Sequence, residues 1–221
     1  GIDSGLSAEG NINMLQRLVV HRPARLGEAL TVKGEIKSVT AVPRGQRVET
    51  DAWFEDLAGE RVISCPRTSL RPQTQAQSKS GAGDKPQPVV GDVAALLLRD
   101  TYQLTPDRVK SYSVEGNSIH YEQEAAERAG FRAPLIGGGM GVHYLTAQMW
   151  QDRRPSFFDV SIYFRRPIFW DEAVQVGVIE DGGNWSGMGL LKLPLRAERV
   201  GSSSEVAKVG TELSIADYRL A

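Results

Sequence analysis

The sequence is poor in the residues that most often announce chemistry. It holds one cysteine and three histidines in 221 residues. Cys65 alone cannot close a disulfide within the chain, which makes a reducing, cytoplasmic location the simplest expectation. Three dispersed histidines and one cysteine supply no plausible zinc ligand set, so no metal is expected. No apolar run approaches the roughly 20 residues of a membrane-spanning helix. The longest candidate, VAALLL at 93–98, is far too short, so no membrane partner is expected. The opening GIDSGLSAEG has neither a basic n-region nor an apolar h-region, so it does not read as a signal peptide, and it lacks an initiator Met. A net charge of −1 leaves no global field to attract nucleic acid. There is no dinucleotide-binding or phosphate-loop glycine fingerprint, and no separate cofactor is expected.

What is present reads as an ordinary globular chain, with 41% hydrophobic and 24% charged residues. Residues 17–71 read as an antiparallel meander. Leu30, Val32, Gly34 and Ile36 alternate with Thr31, Lys33, Glu35 and Lys37, a period-two strand with one wet face. QRVETDAWFEDLAGERVISCPRTSLRP reads as two further strands around a turn at Gly59. Residues 72–91 are rich in Gln, Ser, Gly and Pro and read as a linker. It separates a first unit, 1–71, from a second, 92–221.

The second unit opens with a strand in VAALLLRDTYQLT. A helix start follows, with Thr105 as N-cap and Pro106 at the first helical position. A short helix from Tyr121 to Ala129 closes at Gly130. After three glycines, a mostly apolar and largely buried helix is expected from Met140 to about Gln151. Four alternating strands complete the chain. One apolar helix beside a long antiparallel sheet is an α+β arrangement. HRPARLGEALTVKGEI (21–36) and RRPIFWDEAVQVGVIE (165–180) both read basic-Arg-Pro, then an acidic turn, then an alternating strand, the mark of an internal duplication.

Ser113-Val114-Glu115-Gly116-Asn117-Ser118-Ile119-His120, a following helix with Ala125 and Ala126, and Gly138-Gly139-Met140 together resemble the signature of the MaoC-like, R-specific enoyl-CoA hydratase family. The resemblance covers roughly residues 92–217, and VSIYFRRPIFWDEAVQV is similar to that family's Arg-Pro strand. It implies a hotdog fold, an antiparallel sheet around a central helix. The first half resembles the sheet of a second, reduced hotdog unit without its own long helix. Three positions depart from the family pattern: Glu115 stands where the family has Asp, Ser118 where it has Pro, and Gly138 where it has His.

The resemblance implies addition of water to a 2-enoyl thioester, with acyl-CoA as partner and CoA present only as part of the substrate. That chemistry needs a base for water, an acid for the α-carbon and donors for the thioester oxygen. The implied catalytic residues are Glu115, His120 and Asn117. His120 and Glu115 share the water, and Asn117 orients the loop or a catalytic partner. Gly138, Gly139 and Met140 are the implied oxyanion and substrate-binding residues, at a helix N-terminus where unpaired N–H groups favour negative charge. Glu reaches about 1.5 Å further than Asp, and a misplacement near 1 Å costs about 100-fold in an active site.

Without the resemblance the same residues read differently. Glu115 is a solvated carboxylate, Asn117 a turn former and His120 a structural histidine. His143 is a core residue, and the glycines let the helix approach the sheet. Arg165 and Arg166 could meet CoA phosphates. Two other functions fit a hotdog. A thioesterase would need a carboxylate on the central helix, and none lies between Gly138 and Gln151. A non-catalytic acyl-CoA-binding or scaffolding protein fits the reduced first half. Self-association into a homo-oligomer is expected from the surface a hotdog sheet exposes.

Overall fold

Among the described residues, alternating apolar and polar residues give ten strands, and the few capped, glycine-punctuated stretches give three α-helices. In the computed structural model the described residues are 11–72, 90–113, 116–193 and 212–219. Five strands come from the first half: β1 (Ile12–Val20), β2 (Thr31–Val42), β3 (Gly45–Glu55), β4 (Arg61–Ser64) and β5 (Arg67–Pro72). Five come from the second: β6 (Leu97–Gln103), β7 (Phe158–Phe164), β8 (Ala173–Asp181), β9 (Asn184–Leu193) and β10 (Glu212–Arg219). The helices are α1 (Pro106–Tyr112), α2 (Gln123–Arg128) and α3 (Gly138–Asp152).

The strands join into one sheet in the order β2-β3-β4-β1-β7-β10-β9-β8-β6, with β5 also pairing β1 and β3. The centre of that order is an antiparallel pair between the halves, from Leu15 opposite Tyr163 to Val20 opposite Phe158. The first meander begins earlier than its alternation at 17–71 suggests: Ile12–Val20 is a full strand and forms the seam. On either side of it the order mirrors. β1 neighbours the last strands of its half and then β3 and β2, while β7 neighbours β10 and then β9 and β8.

The duplicated Arg-Pro motif has a structural counterpart. Glu28 accepts a hydrogen bond from the Arg25 N–H at 2.9 Å, and Glu172 accepts one from the Phe169 N–H at 2.8 Å. In both loops a carboxylate ties the turn three residues back. The loops then diverge. Glu28 pairs with Arg22 of its own loop, whereas Glu172 is buried and pairs with Arg132 and Lys192.

The core belongs mainly to the second half. On α3 the buried residues are Met140, Gly141, Tyr144, Leu145, Gln148 and Met149, a stripe repeating every three to four positions. Met140, Tyr144, Leu145 and Met149 pack with Val160 and Ile162 of β7, Val174 and Val176 of β8, and Leu190 of β9. Leu145 and Met149 are fully buried, each stabilising the fold by about 1.5–3 kcal/mol relative to exposure. Leu18 and Val20 of β1 extend this core across the seam. The helix is one-sided rather than apolar all round. His143, expected in the core, is exposed, and so is Trp150. The helix is amphipathic because one flank faces out past the sheet.

The described residues of the first half, 11–72, contain strands and turns and no helix. Val32 is 63% exposed and Val39 49%, on a strand whose alternation is as clean as any in the chain. Local signals elsewhere hold as read. The Thr105 hydroxyl caps α1 by accepting from the Arg108 N–H. At the end of α2, Gly130 takes a left-handed φ of 84°. Its N–H bonds the Glu127 carbonyl, and the Phe131 N–H reaches the Ala126 carbonyl, a paired closure that spends two otherwise orphaned carbonyls.

Candidate active site

The turn that carries His120 is built from its own short-range bonds. Gly116 enters with a φ of 79°, a conformation that a side chain would strain. The Asn117 side chain then caps the single 3-10 turn Ser118–His120 by accepting from the Ile119 N–H. Ile119 is buried and anchors the turn. The Ile119 carbonyl accepts from the Leu135 N–H, and the Ile136 N–H bonds Ile168 in the loop after β7. The strand-like segment before α3 is thereby pinned between the histidine turn and the sheet.

His120 Nδ1 lies 2.8 Å from the Leu135 carbonyl oxygen. A carbonyl only accepts, so Nδ1 carries the proton and Nε2 is left with its lone pair. Burial pushes the His120 pKa below its usual 6.5, partly offset by that bond to Leu135. The imidazole is therefore neutral at pH 7, the form a general base requires. Nε2 faces Gly137: a Cβ there would lie 3.7 Å from it and 3.7 Å from Ser113 Oγ. Ser113 is only 8% exposed, and its hydroxyl has no partner among the described residues. Gly137 leaves a small space with a base and an unspent hydroxyl on its border.

Gly137 is the N-cap of α3 and offers no side-chain cap. The N–H groups of the first turn lack intrahelical carbonyls. That of Met140 turns back to the Gly137 carbonyl at 2.9 Å. The three oxyanion candidates thus separate. Gly138 lines the same cavity as His120. Gly139 faces Tyr112, whose hydroxyl would be 3.4 Å from a Cβ placed on it. The Met140 side chain is a core residue at 2% exposure. The close approach to the sheet falls on Gly138, where a Cβ would lie 2.6 Å from Asn13 Nδ2 on β1 and 3.1 Å from Phe164 on β7, whereas a Cβ on Gly141 would make only an ordinary contact with Leu190 at 3.9 Å. Of the three implied catalytic residues, His120 lines the cavity, Asn117 positions its turn from outside it, and Glu115 lies outside the described residues.

The cavity measures about 450 Å³. Phe131, Leu135, Ile136, Phe164 and Ile168 give it apolar walls, with Arg165 and Arg166 on its border. Four more lining residues come from the first half: Asn11, Ile12, Asn13 and Arg44. Sequence reasoning missed all four. The signal that would have found them is the pairing of β1 with β7, which carries the start of β1 past the end of β7 at the mouth of the histidine turn. His21, by contrast, bonds Ser64 Oγ at 2.9 Å on the far part of the sheet.

No protein-family model matches the chain, and no curated protein matches it in sequence. Solved structures do. HtdX from Mycobacterium tuberculosis superposes with a TM-score of 0.75 at 21% identity, over 98% of this chain and 79% of its own. A MaoC-like dehydratase from Phytophthora capsici gives 0.67 at 18% identity, over 96% and 72%. A Mycobacterium tuberculosis protein described as having a double hotdog fold gives 0.57 at 13% identity, over 93% and 73%. An acyl-ACP thioesterase from Bacteroides thetaiotaomicron also shares the architecture, with a TM-score of 0.56 at 6% identity over 95% and 76%. MaoC-like dehydratases therefore stand among the structures this chain resembles, and with two mirrored strand sets, one central helix and a cavity at the seam, the chain has the double hotdog fold.

Proposed function

We propose that the chain is an acyl-thioester hydratase or dehydratase that adds water to a 2-enoyl thioester, with acyl-CoA as the substrate class. The observation that carries this reading is the geometry of His120. Its Nδ1–H is spent on a backbone carbonyl, and its Nε2 faces a glycine gap at the start of α3 inside an apolar cavity. In the forward direction Nε2 takes a proton from water as the water oxygen bonds the β-carbon. The electrons of the double bond move to the thioester oxygen, which lies at the helix start near the Gly138 N–H. A proton is then delivered to the α-carbon from the pair formed by His120 and Glu115. The apolar walls suit an acyl chain, and Arg44, Arg165 and Arg166 suit the phosphates of CoA.

A thioesterase on this fold would place a carboxylate on the central helix. The only one on α3 is Asp152, which pairs with Arg99 at the opposite end from the cavity. Non-catalytic acyl binding is favoured by the reduced first half, by Glu115 where the resembled motif has Asp, and by Gly138 where it has histidine. Hydration of crotonyl-CoA and of a longer 2-enoyl-CoA, followed by loss of enoyl absorbance, separates the readings. The wild type turns over, and His120→Ala loses about 10²–10⁴ in kcat. Glu115→Gln falls with it. A wild type that binds acyl-CoA yet hydrates no chain length is a binding hotdog, and the proposal is then wrong.

A further inference from the structure

Asn13 enters the cavity from the other half of the molecule. It sits on β1 where the pairing with β5 shifts register between Asn13 and Leu15. Such an irregularity locally bends a strand and re-aims its side chains. Its amide Nδ2 lies 2.6 Å from the position a Cβ on Gly138 would occupy, and Phe164 lies 3.1 Å from the same point. A side chain at 138 would have to displace the Asn13 amide, which occupies that volume from the first half.

The amide is aimed at the reacting region. In a helix the Cβ direction tilts toward the N-terminus. The space beside the Gly138 Cβ position is therefore at the open end of α3, where the first N–H groups have no intrahelical acceptor. Gly138, Asn13 and His120 all line one cavity. Asn13 is half-buried, and its side chain makes no hydrogen bond to any described residue. An amide donor that has been desolvated in part and left unspent costs free energy unless a ligand completes it.

We propose that Asn13 is a substrate-contacting residue whose amide N–H donates to the thioester carbonyl oxygen alongside the Gly138 N–H. The site is then completed by a residue of the half whose described residues carry no helix. This rests on the hydratase reading above. In the reaction Asn13 transfers no proton. Its hydrogen bond strengthens as negative charge gathers on the oxygen, so its effect falls on kcat more than on ground-state binding.

The test uses the full chain with Asn13→Ala and the near-isosteric Asn13→Asp. Three quantities are measured: kcat and KM for crotonyl-CoA, the Kd of saturated butyryl-CoA by calorimetry, and Tm. Loss of one such donor typically costs about 10²–10³ in kcat. Both variants are expected to lose activity on that scale, with the butyryl-CoA Kd moved by less than about tenfold and Tm within a few degrees of wild type. Should Asn13→Ala prove unstable, Asn13→Asp still decides, because it keeps the shape and removes the donor. Retention of kcat within about twofold in Asn13→Asp overturns the proposal. So does a loss confined to butyryl-CoA affinity. If the wild type hydrates no enoyl-CoA, the hydratase reading fails first and this assignment falls with it. If the wild type is active and only the Asn13 variants are normal, the hydratase reading stands without Asn13.

Discussion

The two halves of the molecule share a strand grammar and differ in what they do with it. Each runs from a seam strand through an Arg-Pro loop into two long antiparallel strands, and each ties that loop with a glutamate. The second half lays α3 against its sheet and buries Leu145, Met149, Val174 and Val176 completely. The described part of the first half leaves Val32 and Val39 largely exposed. The difference shows that an amphipathic strand pattern specifies a sheet but not what covers it. It also shows a division of labour. The helix-bearing half provides His120 and the helix end, while the other half provides lining residues, Asn13 and Arg44 among them, and the seam that brings them there.

The largest break in this comparison should come from the core. Met149→Ala removes a fully buried side chain, at an expected cost of about 2–5 kcal/mol. Val32→Ala on the matching sheet face should stay within about 0.5 kcal/mol. Urea denaturation of both variants reads the contrast, and equal losses would mean that Val32 is covered in solution.

The paired loop carboxylates come next. Glu172 is buried between Arg132 and Lys192, with Nη2 and Nζ at 3.1 and 2.6 Å. Glu172→Gln leaves Lys192 facing a neutral group while Arg132 keeps Asp171, so the cost should fall below the roughly 3–5 kcal/mol of breaking a fully buried pair. Glu28→Gln should give a smaller fall in Tm, since the Glu28–Arg22 pair lies at the surface and is screened. The Arg22 guanidinium and the Arg25 N–H hold the Glu28 carboxyl at about 2. Its contribution is therefore present at neutral pH and fades only as pH falls below the ordinary carboxylate range toward about 2. A Tm series from pH 7 to pH 2 on wild type and Glu28→Gln would show the two curves converging at the acid end.

The smallest effect is a pH effect at His120. Burial lowers its pKa, so the unfolded chain takes up this proton near pH 6.5 while the native chain does so only at lower pH. Stability from this group is fully present above about pH 6.5 and declines as pH drops toward the native value. The same protonation removes the base. The acid limb of kcat/KM is expected below pH 6.5 in the wild type, with the alkaline side of that limb flat through pH 7. A limb centred above 6.5 would place a different group in the role of base.

Much of the fold could be read along the chain because its causes are local. Thr105 before Pro106 caps a helix by reaching the next turn, and Gly130 ends one by taking a φ that other residues resist. The alternation of Val32, Gly34 and Ile36 makes a strand in any sheet. His120 and Gly138 could also be nominated, since their motif is contiguous and the turn at Asn117 builds itself. The reading failed where one element meets another. His143 is expected in the core because its neighbours are apolar, yet helical rotation turns it outward. Gly138, Gly139 and Met140 follow one another in the sequence, yet their Cβ directions diverge: Gly138 lines the cavity, Gly139 faces Tyr112 and the Met140 side chain lies in the core.

By itself, then, the sequence determined which segments are strands, where the helices start and stop, and which histidine sits on a glycine-bounded turn. These follow from backbone sterics and capping bonds within a few residues. Only the tertiary structure decided that the start of β1 meets the start of α3. The seam joins residues far apart in the chain, such as Arg17 and Asp159 at a separation of 142. No local preference encodes that meeting. It follows from pairing β1 with β7, which satisfies both strands' backbone groups and continues the core through Leu18 and Val20.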